Sequence, residues 1–135
     1  MQPNIYNFFK FLEDKEGRPI PFKIKLIHAP ETLTPDDLQV GGSLFLRNIP
    51  ITSLPDGLKV GGSLYLKNTP ITSLPKGLKV RGYLNLTNTK IKSLPEDLEV
   101  GGYLYLANTP LAKKSDEEIK AMIEPTGFII GKIYK

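Results

Sequence analysis

A block of twenty residues recurs through the middle of this chain almost letter for letter, and it limits the fold more than any other feature. Val40, Val60, Val80 and Val100 share one column. Leu44, Leu64, Leu84 and Leu104 share a second, and Leu46, Leu66, Leu86 and Leu106 a third. Ile51, Ile71, Ile91 and Leu111 follow, then Leu54, Leu74 and Leu94, each of these leucines before a proline. Leu38, Leu58, Leu78 and Leu98 close the unit. A fixed period of this length marks a solenoid, in which each unit buries its apolar face only against its neighbours. At 135 residues the chain is expected to be one domain. It has no cysteine, which excludes a disulfide framework and thiolate metal sites.

Within a unit the pattern is that of a strand followed by a turn and a stiff return. From Val60 to Leu66 apolar or small residues alternate with variable ones, the period of a half-buried strand. Identical strands one repeat apart stack in register as a parallel sheet, with Val60, Leu64 and Leu66 inward. Gly42, Gly62, Gly82 and Gly102 fill one column, which calls for a positive φ or a close backbone approach. The column before it admits Arg81 in place of glycine, so a side chain is expected to fit there, facing solvent. These glycines lack the spacing and the following lysine of a phosphate loop. Asn48, Asn68, Asn88 and Asn108, with Thr69, Thr89 and Thr109 beside them, follow each strand where the chain turns, and are expected to bond turn backbone and reach the next repeat's backbone. Pro50, Pro70, Pro110, Pro55, Pro75 and Pro95 stiffen a return limb that is extended or a single tight helical turn.

The ends differ. Residues 1–20 are expected to cap the first repeat. Within them, 4–13 reads as a helix with Asn4 as its cap and Ile5, Phe8, Phe9 and Leu12 on one face. Residues 21–112 are the repeats, the first of them degenerate. There Ile24 and Leu26 stand in the paired-leucine columns, and His28, the single histidine, in the asparagine column, a structural position with no companion ligand. Residues 113–135 form a C-terminal cap. In it Ser115 to Glu118 is a capping box, Ile119, Met122 and Ile123 an apolar stripe, and Phe128 to Tyr134 a strand. No basic stretch runs into an apolar one at the N-terminus and no segment is long enough to span a bilayer, so a cytoplasmic setting without a membrane is expected.

Leu64-x-Leu66-x-x-Thr69-x-Ile71-x-x-Leu74-Pro75 resembles the leucine-rich repeat core pattern, with threonine where asparagine or cysteine usually stands. The Leu-Pro and the unit length are similar to the short bacterial variety, and the Gly-Gly before the strand resembles repeats of small phage and bacterial proteins. The resemblance covers residues 38–112 strongly and 21–37 weakly. It implies an α/β repeat protein: a right-handed solenoid with a parallel sheet, a helix before it and a helix plus strand after it. It also implies a binding surface without shared catalytic residues. A parallel β-helix of the same period is the structural alternative.

Function is legible only as a class. Catalysis needs a nucleophile with a base, two carboxylates or metal ligands brought together. Asp56, Glu96, Asp97 and Glu99 lie on the return limb and are expected to be solvated and paired with lysines, so neither an enzyme nor a cofactor is expected. The informative variation is at the outward strand positions, where Lys23, Ser43, Ser63, Tyr83, Tyr103 form one row. Lys25, Phe45, Tyr65, Asn85, Tyr105 form the next, and Ile27, Arg47, Lys67, Thr87, Ala107 a third. Uniform inward columns beside varied outward rows are what a specific surface on a generic scaffold shows. Phe45, Tyr65, Tyr83, Tyr103 and Tyr105, with Asn85 among them and Arg47 and Lys67 at the side, are the expected partner-binding residues. The first expectation is a protein partner, with the chain as a small phage-type inhibitor or adaptor. The second is single-stranded nucleic acid stacked on the tyrosines, with Arg47, Lys67 and Lys25 on phosphates. The third is a structural part of a larger assembly.

Overall fold

The computed structural model describes residues 5–18 and 20–135, and divides the chain into two compact units, 1–37 and 38–135. The expected capping role of Asn4 lies outside the described residues.

In the first unit, α1 (Ile5–Glu16) is three residues longer at its C-terminal end than the expected 4–13 and stops at Gly17, whose φ of 69° ends it. Lys10 bridges Glu13 at 3.0 Å and Asp14 at 3.5 Å along its exposed face. A second helix, α2 (Phe22–His28), occupies the segment expected to be the degenerate repeat. Ile24 and Leu26 are therefore helical residues, not strand columns, and His28 ends a helix instead of turning a repeat. The reason is local. This segment has neither the glycine that precedes the other strands nor the asparagine that follows them, whereas Leu26 and Ala29 bury one side at helical spacing. Beyond α2, the Asp37 carboxylate accepts from Thr34 N at 2.9 Å and from Lys25 Nζ at 3.1 Å. The backbone N–H of Thr34, then the Lys25 ammonium, hold its pKa below the ordinary aspartate value.

The second unit is a solenoid of stacked parallel strands. Each turn supplies two strands: β1 (Gln39–Val40) and β2 (Leu44–Phe45), then β3 (Lys59–Val60) and β4 (Leu64–Tyr65). β5 (Lys79–Val80) and β6 (Leu84–Asn85), then β7 (Glu99–Val100) and β8 (Leu104–Tyr105), continue the series. The odd-numbered strands form one parallel sheet and the even-numbered strands a second. The single strand expected from Val60 to Leu66 is thus broken at its glycines into two, one in each sheet. Residue n pairs with residue n + 20, as in Leu64↔Leu84 and Val60↔Val80.

The inward columns make the core. Leu64, Leu66, Ile71, Leu84, Leu86, Ile91, Leu104, Leu106 and Leu111 are fully buried, stacked in columns along the turns. From Gly62 onward the glycine column is explained by close approach, and none of its members has a positive φ. A Cβ on Gly82 would stand 3.0 Å from both the carbonyl carbon and the oxygen of Gly62, and one on Gly102 would stand 2.9 Å from those of Gly82. Positive φ, the other of the two expected roles, is found instead at Asn48, Asn68, Asn88 and Asn108, at 57–63°, and at Gly57 and Gly77. Asparagine tolerates this region better than other side chains. Their amides bond to one another, not to backbone: Asn68, Asn88 and Asn108 donate Nδ2 to the Oδ1 of the asparagine before at 2.7–2.8 Å. Thr69, Thr89 and Thr109 are buried and bond locally to the carbonyls of Leu66, Leu86 and Leu106.

Two return-limb acids also join turns instead of pairing with lysine. Asp56 accepts from Lys76 N at 3.2 Å and Asp97 accepts from Gly77 N at 3.0 Å. Glu99 alone of the four meets a lysine, Lys79, at 3.2 Å. After a 3-10 turn at Pro110–Lys113, the capping box opens α3 (Asp116–Ala121), with Glu118 N donating to Ser115 Oγ at 3.2 Å. The expected strand over 128–134 is again two: β9 (Phe128–Ile129) adds to the first sheet beside β7, and β10 (Ile133–Tyr134) to the second beside β8. Gly131 between them falls on Gly102, where a Cβ would come within 2.6 Å of the Gly102 carbonyl carbon. The C-terminal segment therefore builds one more partial turn with the same steric rule.

Candidate interaction face

The outward side of the second sheet carries the expected residues. Register places Phe45, Tyr65, Asn85, Tyr105 and Tyr134 in one row across β2, β4, β6, β8 and β10. Side chains of a strand alternate in direction, so Leu44, Leu64, Leu84, Leu104 inward force this row outward. Phe45 stacks on Tyr65 with centroids 4.8 Å apart and planes 3° from parallel. That separation is the spacing of neighbouring strands, so the stack is a direct product of the register. Tyr105 and Tyr134 stack likewise at 5.1 Å. Asn85 interrupts the row, and its Oδ1 accepts from Thr87 N at 3.0 Å.

A second row runs two residues upstream. Ser43 Oγ accepts from Ser63 N at 3.0 Å and Ser63 Oγ from Tyr83 N at 2.9 Å. Tyr83 and Tyr103 stack at 5.2 Å, and each meets Tyr105 edge to face, at 6.2 and 6.4 Å. Tyr103 and Tyr134 also meet edge to face, at 5.5 Å. The rings at 83, 103, 105 and 134 are thus one contiguous cluster, and the Phe45–Tyr65 pair lies across Asn85 from it. Phe45 is 56% exposed, Tyr83 42%, Tyr103 37% and Tyr134 43%, while Tyr65 and Tyr105 are half-buried. Crowding of the Tyr105 hydroxyl by its neighbours, then the nearby Tyr134, Tyr83, Tyr103 and Tyr65 hydroxyls, raises its pKa above the ordinary tyrosine value.

Arg47 and Lys67 flank the rings in the third row, exposed and half-buried respectively, and neither makes an ion pair among the described residues. No Asp or Glu occupies an outward position of this face. All eight expected residues are thereby on one side of one sheet. The three residues that were expected to extend the rows onto an earlier strand, Lys23, Lys25 and Ile27, are in α2 instead, and Lys25 is engaged by Asp37. Tyr134 was missed. Its signal was present: Ile129-x-Gly131-x-Ile133-Tyr134 matches Val100-x-Gly102-x-Leu104-Tyr105 once one allows isoleucine for valine and leucine.

A groove of about 870 Å³ runs along the first sheet, and the sequence reading did not foresee it. Lys59, Lys79, Arg81 and Glu99 line it, its floor includes Gly41, Gly61 and Gly101, and Phe128 and Ile130 stand at one end. Among the described residues no helix is long and apolar enough to cross a membrane. No family model, no curated protein and no solved structure matches the chain.

Proposed function

We propose that this chain is a non-catalytic protein-interaction module that binds a partner protein through the outward face of its second sheet. The observation that carries this reading is the set of exposed and half-exposed rings on one face without carboxylates: the cluster of Tyr83, Tyr103, Tyr105 and Tyr134, and the Phe45–Tyr65 pair across Asn85 from it. Ordered ladders hold the strands, so these side chains lose little backbone freedom on binding, and rings add contact area at low entropic cost. Arg47 and Lys67 favour a partner with acidic residues around an apolar centre. Membership of the leucine-rich repeat family, a phage or bacterial origin and an inhibitor or adaptor role belong to the same proposal and rest on the repeat pattern.

Single-stranded nucleic acid is the less supported alternative, because most ring faces are already stacked on or met by other rings and Lys25 lies in a helix. The test is affinity capture from a host lysate followed by titration of the captured partner with Tyr65→Ala and Tyr105→Ala, each checked first for folding. Hot-spot positions lose about 2 kcal/mol or more of binding. Normal binding by both variants, with loss on changing Asp56, Lys76 or Glu96, moves the working surface to the return limb. A steep loss of affinity with salt for an oligonucleotide ligand points to the alternative.

A further inference from the structure

Arg81 carries a side chain in a column that holds Gly41, Gly61 and Gly101, as Ile130 does in the last partial turn. At the equivalent positions of the neighbouring turns stand Gly61 and Gly101, and a Cβ there meets the turn before. On Gly61 it would lie 2.5 Å from the Gly41 carbonyl oxygen, and on Gly101 closer still to that of Arg81. Side chains do not tolerate such contacts without a backbone shift. Arg81 N donates to Val60 O at 3.0 Å and Ile130 N to Val100 O at 2.9 Å, against 2.7 Å and 2.8 Å for the two glycines, so the ladder is slightly longer where a side chain sits. A side chain set against a local steric demand points to function over packing.

Its surroundings say what it serves. The groove holds three cations, Lys59, Lys79 and Arg81, and one carboxylate, Glu99, which is taken by Lys79 at 3.2 Å. Lys59 and Arg81 have no ion pair among the described residues. The backbone amides of Gly61 and Gly101 are already donating along the ladder, to Val40 O and Val80 O. An anion in the groove is therefore met by side chains. At the far end Phe128 is 44% exposed and Ile130 73%. From β3 to β9 is three strand spacings, about 14–15 Å, the length of four to five extended residues.

We propose that this groove docks an extended acidic segment of a partner protein, with Arg81 and Lys59 holding its carboxylates and Phe128 and Ile130 taking an apolar side chain. The guanidinium suits a carboxylate because it offers two parallel donors. Surface lysines alone would mean only a solvated face; the arginine in a glycine column, next to an unpaired lysine and an apolar end, supplies the chemistry. The site is on a different sheet from the aromatic face and does not depend on it.

The experiment is calorimetric titration, at low salt, of the full chain with a blocked peptide of three glutamates and two leucines, in both orders. Saturable binding is expected. Arg81→Gly restores the residue its column accepts, so its unfolding midpoint should hold or rise while peptide affinity falls about tenfold. Lys59→Gln should also weaken binding, and Glu99→Gln should strengthen it by freeing Lys79. Tyr65→Ala should leave peptide affinity unchanged; a loss there overturns the assignment to this groove. No saturation by about 1 mM peptide, unchanged affinity in Arg81→Gly, or tighter binding of oligothymidylate than of the peptide would each overturn the proposal.

Discussion

The glycine column permits a test in which one substitution is made twice and only the turn beneath it differs. Gly42 and Gly82 are counterparts two turns apart, and neither has a positive φ. A Cβ on Gly42 meets nothing within 4 Å. One on Gly82 meets Ser63 Oγ at 2.5 Å and the Gly62 carbonyl at 3.0 Å, and that carbonyl is held by the ladder bond from Gly82 N at 2.9 Å. Gly→Ala at a compatible backbone position stabilises by roughly 0.4–1 kcal/mol, because the unfolded chain loses freedom. That contribution is common to both variants. Only Gly82→Ala adds an overpacking cost, about 1–3 kcal/mol. Gly42→Ala should thus be neutral or slightly stabilised, and Gly82→Ala should lie about 1–3 kcal/mol below it. With a urea slope near 1.5 kcal/mol/M the midpoints separate by roughly 0.7–2 M. Urea unfolding followed by circular dichroism reads this directly, with the slopes compared first. Equal losses in the two variants would refute the reasoning and return the column to a backbone-conformation requirement.

Three further outcomes follow from the packing. Leu84 is fully buried between Leu64 and Leu104, so Leu84→Ala should cost about 2–5 kcal/mol, near the upper end because both neighbours are held by ladders; Tyr65→Ala, half-buried, should cost clearly less in the same urea assay. Because the folded-state pKa of Tyr105 is raised, its contribution to stability is full below the unfolded tyrosine value near 10.0 and is lost as pH rises through the folded value. Tyrosinate absorbance should show a late-titrating component that disappears in Tyr105→Phe. Deleting residues 113–135 removes β9 and β10 and bares the β7 and β8 edges, so the shortened chain should self-associate in sedimentation; a monomeric, cooperatively folding product would contradict this.

The twenty-residue period and its uniform apolar columns were enough to read a parallel-stranded solenoid, its register and its buried leucines, because in a stack each residue's neighbour is its own counterpart one turn away. The same logic located the eight outward residues from Phe45 to Tyr105 on one face. What the sequence alone left open depended on distances between turns. Whether glycine served φ or proximity, and which side chain took the positive φ instead, is decided by how closely Gly82 sits on Gly62 and how Asn68 turns beneath Asn88. The fate of Phe22–His28 was decided by the absence of the flanking glycine and turn asparagine, where helical burial of Leu26 and Ala29 outweighs a loose match to the leucine columns. Tyr134 joined the face through pairing across a gap of 29 residues, Tyr105 to Tyr134, which breaks the period that made everything else legible. Arg81 was visible as an exception in the sequence, but its cost was not, since a Cβ is crowded only by the carbonyl that tertiary stacking brings beneath it.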